Sequence, residues 1–502
     1  MPDPARPALG PNRAAPDRTC RSGCPAATCR AINRAILSVA ACAALAACSL
    51  APPHVRPPLP TAAEFASEHA PNPAGGVSAP TLERTRFIAD ARLEALIAAA
   101  LDRNRDLAAA LARIEEARGS YRVQRADRVP SARLDAEASR SQSVTTGFGA
   151  GFPAAADGAQ DMDNRSAAVV VPAFELDFFG RVRSLTAAAR ARFLATADAA
   201  QALGLALVRE VADAYLRTLE ARARIALAER TVESRREEMT LAEQRLEAGV
   251  ISALELAQTE TLLRQAETEL AALRYAEAQS ANALALLVGG PLDLELPEGA
   301  PLGEQVSDAP LRAGLPSELL AARPDVRAAE ERLRAARADI GAARAAFFPS
   351  IVLTASSGYA STELGELFEA DGHTWSFGPT LSVPIFDFGR RRGNLDAARA
   401  REQIAIANYE LAIQTAFQEV ANALAGRRYL AEQVEAQALG TAAQRRLAEL
   451  ARQRYQEGVI SYLEVLDAER NLFAAEQALL EARRAQATNL IALYVALGGG
   501  LR

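Results

Sequence analysis

The groups able to carry catalysis or hold a metal are few in this 502-residue chain and badly placed for either. All five cysteines fall near the start, at Cys20, Cys24, Cys29, Cys42 and Cys48, and the three histidines are His54, His69 and His373. Cys20, Cys24 and Cys29 are spaced as zinc ligands could be, but a structural site needs four donors and no histidine lies near them. There is no Ser/His/Asp grouping, no metal-spaced His or Cys and no phosphate loop ending in Gly-Lys-Ser/Thr. The reading is therefore a non-enzyme with no cofactor. The 62 acidic side chains are nearly matched by 56 basic ones, all arginine, for a net charge of −6. Such a balance suits solvated helix surfaces and lacks the clustered basic face of a nucleic-acid binder.

Cys48 alone sits in a chemically meaningful setting. Arg30 and Arg34 precede an apolar stretch, Ala35 to Leu45, of the length of a signal-peptide core. It ends in Leu45-Ala46-Ala47-Cys48, which resembles the bacterial lipobox, whose cysteine is acylated and becomes the mature N-terminus. Several acyl chains at one residue anchor a chain stably where one would not. The competing reading is an ordinary small-residue cleavage site that happens to contain a cysteine. Residues 1–47 are thus expected to form a signal peptide, with 1–29 suggesting a start codon set too far upstream. Residues 48–85 open with Pro52, Pro53, Pro57, Pro58 and Pro60 and read as a lipidated, extended tether.

The elements behind these residues follow from composition and repetition. Alanine is roughly a fifth of the chain, half of the residues are hydrophobic, 5% are aromatic and the mean hydropathy is −0.03. That is the profile of long helices and coiled coils, and no apolar run of the ~18 residues that span a bilayer is expected. Internal repeats decide the plan. Gln244-Arg-Leu-Glu-Ala-Gly-Val-Ile-Ser252 recurs as Gln453-Arg-Tyr-Gln-Glu-Gly-Val-Ile-Ser461. At the same offset Asp177–Arg181 matches Phe386–Arg390, and Gly289-Gly290 matches Gly498-Gly499. Upstream, Asn104–Leu107 pairs with Arg323–Val326 and Pro130 with Pro349, so one length difference falls between Pro130 and Asp177. Residues 86–290 and 319–502 are read as two tandem repeats, with 291–318 as the linker between them.

Each repeat predicts a helix, a β-hairpin, a very long helix and a shorter return helix. The first helix is expected from about Asp90 to Val129, ended by Pro130, and its counterpart from Pro324 to Phe348. A Gly/Ala/Asp-rich loop, Gly147 to Asp163, separates the first pair of strands. In the second pair, Ile351, Leu353, Ala355 and Tyr359 share a face, as do Trp375, Phe377, Leu381, Val383 and Ile385. Alternation of apolar with small polar residues over ~10 positions is the pattern of a transmembrane β-strand, or of a soluble hairpin with one wet face. Proline-free helices follow, Arg181 to Leu246 and Arg390 to about Tyr455, each a rod of roughly 100 Å. Ile406, Ile413, Phe417, Val420 and Leu424 carry coiled-coil spacing. The return helices, Ser252 to Val288 and Ser461 to Leu497, are only about half as long, and the preceding helix would stack end to end on each.

Four strands cannot close a barrel, since outer-membrane barrels need about eight or more, and an open sheet in lipid leaves edge groups unpaired. Symmetric assembly removes the edges. Two chains would give a filled barrel, and three would give room for a channel.

Taken in order, these segments resemble the outer membrane factor family, the TolC/OprM-type lipoproteins of tripartite efflux pumps, in its NodT-like branch. The residues carrying the resemblance are Cys48-Ser-Leu-Ala-Pro, Phe87, Asp90 and Leu93, Leu101–Leu107, and Phe174-Glu-Leu-Asp. Leu315-Pro-Ser-Glu-Leu-Leu, Arg323-Pro-Asp325, Pro384-Ile-Phe-Asp-Phe-Gly389 and Ala496–Gly500 complete them. The resemblance covers Cys48 to Arg502. It implies an α+β homotrimer with a twelve-stranded outer-membrane barrel, four strands from each chain, continued by a coiled-coil helical barrel in the periplasm. Such a passive duct takes small molecules from an inner-membrane transporter through a periplasmic adaptor protein. Type I protein secretion and metal efflux by the same duct remain alternatives, as does a lipid-anchored coiled-coil scaffold with no pore.

The resemblance also assigns sites. The tip turns, Gly249, Val250, Ile251 and Ser252 with Gly458, Val459, Ile460 and Ser461, correspond to the adaptor contact. Gly at a helix end permits the left-handed turn, and Ser252 or Ser461 would cap the returning helix. Leu463, Asp467 and Arg470 match the pore-closing residues of the OprM branch, and Tyr455 and Glu464 match those of the TolC branch. Threefold symmetry would turn Leu463 into an apolar ring and Asp467 into a negative one. Asp467 and Arg470 also have the spacing of an ordinary surface pair. The first repeat has Leu254, Gln258 and Thr261 instead.

Overall fold

A computed structural model describes residues 50–62, 65, 77–144, 159–291, 295–307, 311 and 322–500. Proline-free, alanine-rich stretches become helices, while prolines and extended caps end them. The first repeat opens with α1 (Ala91–Arg103), where the Asp90 carboxylate accepts from the amides of Arg92 and Leu93. α2 (Arg105–Ala126) follows, so the single helix expected over Asp90–Val129 is broken at Asn104. Asn104 is extended (φ −60°, ψ 130°), and its side-chain oxygen accepts from the Leu107 amide at 2.9 Å. Asparagine competes with helix by bonding the backbone locally, which is why the break falls there.

Next come strands β1 (Arg133–Val144) and β2 (Ala159–Leu176), then α3 (Arg181–Glu247) and α4 (Ala253–Val288). The second repeat has α5 (Pro324–Ala345), β3 (Ser350–Ser361), β4 (His373–Ser382), α6 (Arg390–Gln456) and α7 (Tyr462–Ala496). α3 and α6 each run 67 residues against 36 and 35 for α4 and α7. At 1.5 Å per residue the long helices are roughly 100 Å rods.

The short helices make up the missing length. Asn104 Nδ2 donates to Leu287 O near the end of α4 at 2.8 Å, and Arg323 Nη1 donates to Ala496 O at the end of α7 at 3.2 Å. Equivalent residues of the two repeats thus bind equivalent carbonyls, which seats α2 beyond α4 and α5 beyond α7. The joints are too tight for a side chain: a Cβ on Gly289 would lie 2.4 Å from Arg103 O, and one on Gly498 would lie 3.0 Å from Ala322 O.

The four strands form one antiparallel sheet in sequence order, joined across the repeats by β2 and β3. β2 begins at Ala159, inside the stretch expected as loop, because its backbone pairs with β1 out to Val144. Its register shifts between Val171 and Phe174, beside Pro172, which has no amide hydrogen to give the ladder. β4 ends at Ser382, so Val383 and Ile385 lie beyond the strand that was expected to include them. Pro384 follows directly and supplies no donor.

The main core lies where the long helices cross the start of the chain. Phe87, Leu93, Leu96 and Ile97 meet Leu207, Val208 and Val211 of α3, Val420 and Leu424 of α6, and Ile491 and Tyr494 of α7. Phe87 stacks on Tyr494 with ring centroids 4.2 Å apart. α3 does contain the kind of apolar run the sequence reading did not expect, an 18-residue window of mean hydropathy 1.2 that is 39% buried. α3 supplies Leu207, Val208 and Val211 to this core.

Candidate functional site

Two features stand at opposite ends of the long helices: a two-faced sheet and a helical tip. In the sheet, directly opposed residues share a face, since side chains alternate along a strand. One face carries Leu134 opposite Val169, Phe174 opposite Leu353, Ile351 opposite Leu381, and Ala355 opposite Phe377. The other carries Thr354 opposite Gly378, Ser356 opposite Ser376, Ser350 opposite Ser382, and Glu137 opposite Ser166. The Ser356 and Ser376 hydroxyls lie 2.7 Å apart, a cross-strand hydrogen bond. Leu134 and Trp375 are 74% and 72% exposed on the apolar face. β1 and β4 are the edges of the sheet.

Cys48 lies outside the described residues, but the segment that follows it does not hang free. The Leu50 carbonyl accepts from Arg344 at 3.0 Å, near the end of α5 closest to the sheet. Farther along, Val55 O accepts from Arg337 at 2.7 Å, and Arg56 grips the buried Glu330 carboxylate with two bonds of 3.0 and 3.1 Å. His54 Nε2 lies 2.9 Å from the same carboxylate. A Cβ on Gly341 would stand 2.8–2.9 Å from Ala51, so a bare helix face is required there. The expected extended tether is, over these residues, a strap docked along α5.

At the far end, Gly249 and Gly458 hold φ of 71° and 75°, the left-handed turns foreseen from their type. Val250 and Val459, the residues that follow them, are exposed. Ser252 caps α4 in a reciprocal box with Glu255. Ser461 makes no such cap; its hydroxyl lies 3.4 Å from the Glu464 carboxylate instead, which corrects the expectation for that position. Leu463, Asp467 and Arg470 share one exposed stripe of α7, while Val465, Leu466, Ala468 and Glu469 are buried. Asp467 is engaged by both Arg470 and, at 3.2 Å, Asn471. Tyr455 is half-buried, its ring 5.2 Å from that of Tyr462, and its hydroxyl accepts from Arg245 at 2.7 Å.

What the sequence reading missed is the buried charge that ties the two hairpins together. Arg235 of α3 contacts Glu238 at 2.7 Å and Glu469 of α7 at 2.6 Å, with both Arg235 and Glu469 buried. Arg452 of α6 takes the other Glu469 oxygen at 2.6 Å, and the Tyr462 hydroxyl donates to Glu238 at 3.2 Å. Burial disfavours the Arg235 charge, yet the carboxylates of Glu238 and Glu469 outweigh it and raise its pKa. Burial is also the first cause raising the Tyr462 phenol, reinforced by those carboxylates. A second tier lies nearer the core: Arg224 of α3 reaches Glu269 of α4 at 3.3 Å and Glu481 of α7 at 2.7 Å, and Arg484 holds Glu220. The available signal was a charged residue, Glu469, in the apolar register of α7.

A sheet apolar on one face and hydroxyl-lined on the other, carried on ~100 Å helices, defines a membrane-spanning wall with a helical extension. Comparison with known proteins places it. The chain matches the model of the outer membrane efflux protein family over residues 96–290 and 315–499, and it belongs to that family. It is 42% identical over 457 residues to the outer membrane protein OprJ of Pseudomonas aeruginosa, covering 91% of this chain and 94% of that one. It is 40% identical to the solvent efflux pump outer membrane protein SrpC of Pseudomonas putida, covering 91% and 96%. The cation efflux system protein CusC of Escherichia coli is 40% identical, again with 91% and 96% covered. The open-state MtrE outer membrane channel of Neisseria gonorrhoeae superposes with a TM-score of 0.82 at 37% identity, covering 91% and 99%. The protein is an outer-membrane efflux channel, with its sheet in that membrane and its helices in the periplasm.

Proposed function

We propose that three copies of this chain close a twelve-stranded barrel and form the passive exit duct of a tripartite pump. The observation that carries this reading is the sheet itself, with one apolar face, one hydroxyl face and an edge strand on each side. An open edge in lipid costs several kcal/mol per unpaired backbone group, and pairing β4 of one copy with β1 of the next removes it. The hydroxyl face then lines water and the apolar face meets lipid. Acylation at Cys48 would act beside this wall, since Leu50 docks at the sheet-proximal end of α5.

The tip turns at Gly249–Ser252 and Gly458–Ser461 receive a periplasmic adaptor, which delivers cargo from an inner-membrane transporter. The exposed Leu463, Asp467 and Arg470 stripe, flanked by Glu464 and Tyr455, narrows the closed tip. Cargo is small and organic in this reading. Relatives named for solvent and for cation export share this architecture, so the client is set upstream.

Native mass spectrometry of detergent-extracted outer membranes tests the assembly: trimers of acylated chains starting at Cys48 are expected, and unacylated monomers would overturn it. For the gate, Leu463→Ala with Asp467→Ala should raise single-channel conductance, and unchanged conductance would refute the assignment. A bulky residue at Gly458 should abolish efflux while trimers persist; intact efflux would remove the tip from the adaptor interface.

A further inference from the structure

The connection between β3 and β4 carries apolar groups where an aqueous loop should have none. Leu364 and Phe368 are 71% and 72% exposed, on a segment built of two tight turns, Leu364–Glu366 and Ala370–Gly372. Leu367 between them is buried. Phe368 rests edge-on against Tyr359 with centroids 5.8 Å apart, and His373 meets the same ring at 5.6 Å. Tyr359 lies on the apolar face, in alternation with Ile351, Leu353 and Ala355 and directly opposite His373. Phe368 therefore packs on the lipid-facing side of the sheet.

We propose that this connection is a membrane-inserted clasp. Phe368 and Leu364 enter the acyl layer of the outer leaflet, while Glu363, Glu366, Glu369 and Asp371 stay in the headgroup layer. The occupant follows from continuity: the patch extends a face that already meets lipid chains, with Trp375 and Tyr359 at the junction. Height supports it as well. Trp375 to Leu381 spans about 20 Å along β4 at ~3.3 Å per residue, or about 15 Å of vertical rise at a tilt of about 40°. The apolar band of an outer-membrane barrel is about 25 Å tall. The shortfall is filled from both ends, by Val383 and Ile385 below and by Phe368 and Leu364 above. Carboxylates are tolerated near the interface but not at the midplane, which suits a clasp that inserts only shallowly.

The chain contains one tryptophan, Trp375, which makes the test direct. The full-length protein and its Phe368→Trp/Trp375→Phe variant are reconstituted in phosphatidylcholine vesicles brominated near the headgroup or at mid-chain. Emission from position 368 should be quenched several-fold more by shallow bromines than by aqueous iodide. Strong iodide quenching with none from bromolipid would overturn the clasp. Trp375 in the unaltered protein separates this from the barrel assignment. If Trp375 is quenched by bromolipid and position 368 is not, only the clasp fails. If neither is quenched, the lipid-facing assignment of the sheet falls and the clasp with it.

Discussion

Removing the shared acceptor of the tip network should loosen the helical tip. Glu469 is buried and takes Arg235 and Arg452 at 2.6 Å each, so one carboxylate joins α3, α6 and α7. Breaking a buried pair costs about 3–5 kcal/mol. Here Arg235 keeps Glu238 at 2.7 Å, and Arg452 is half exposed, so neither arginine is stranded. The cost of Glu469→Ala therefore falls below that range, at about 2 kcal/mol for the lost charge-assisted bonds, or roughly thirtyfold in the balance between joined and parted hairpins. The assay is conductance of the purified variant in planar bilayers, paired with uptake of a large antibiotic that an intact outer membrane excludes. Both should rise, and Arg483→Gln, an exposed control on the same helix, should change neither. Normal protein levels with unchanged conductance and uptake would refute the idea that this network holds the hairpins together.

Other positions give independent tests. Gly341→Val places a side chain against Ala51 and should raise hydrogen exchange across residues 50–56 while leaving α6 and α7 protected; unchanged protection would show that the strap is not seated on α5. Gly289→Ala meets Arg103 O at 2.4 Å with φ at 91° and should lower the melting temperature, at a cost of about 1–3 kcal/mol. Gly440→Ala, mid-helix in open space, should raise the melting temperature through a gain of about 0.5–1 kcal/mol in stability, and the same sign for both would contradict the joint. The buried Tyr494 phenol, which donates to Leu82 O at 2.6 Å, is pushed up from 10.0 to about 12, chiefly by burial. A raised folded value means that the unfolded chain loses its proton first. Its share of stability is thus intact below pH 10 and lost by about pH 12. Ultraviolet titration should find this tyrosine neutral at pH 11 in the wild type, and a Tyr494→Phe variant should show a flatter stability profile over that window.

How much was legible depends on the range of each interaction. Helix boundaries near Arg181, Arg390, Gly249 and Gly458 follow from proline-free runs and left-handed glycines, which are local. The break at Asn104 was missed because a capping asparagine inside an otherwise helical run is a weak signal. The true start of β2 was missed because pairing to Val144, not composition, extends it. Leu463, Asp467 and Arg470 could be placed on one stripe from spacing alone. Glu469 could not be assigned a partner, since Arg235 is far away in the chain and on another helix.

By itself, then, the sequence determined the duplicated plan, the hairpin followed by a long and a short helix, the two tip turns and the alternating strand faces. All of these are written in periodicity and in backbone-specific residue types within a few turns of chain. Only the tertiary structure decided which equivalent carbonyls Asn104 and Arg323 bind, and where the strap after Cys48 lies. It alone also showed that the hairpins are pinned by buried charge and that Phe368 folds onto the apolar face of the sheet. Those depend on contacts between residues distant in sequence, where many partners satisfy the same chemistry and packing alone selects one.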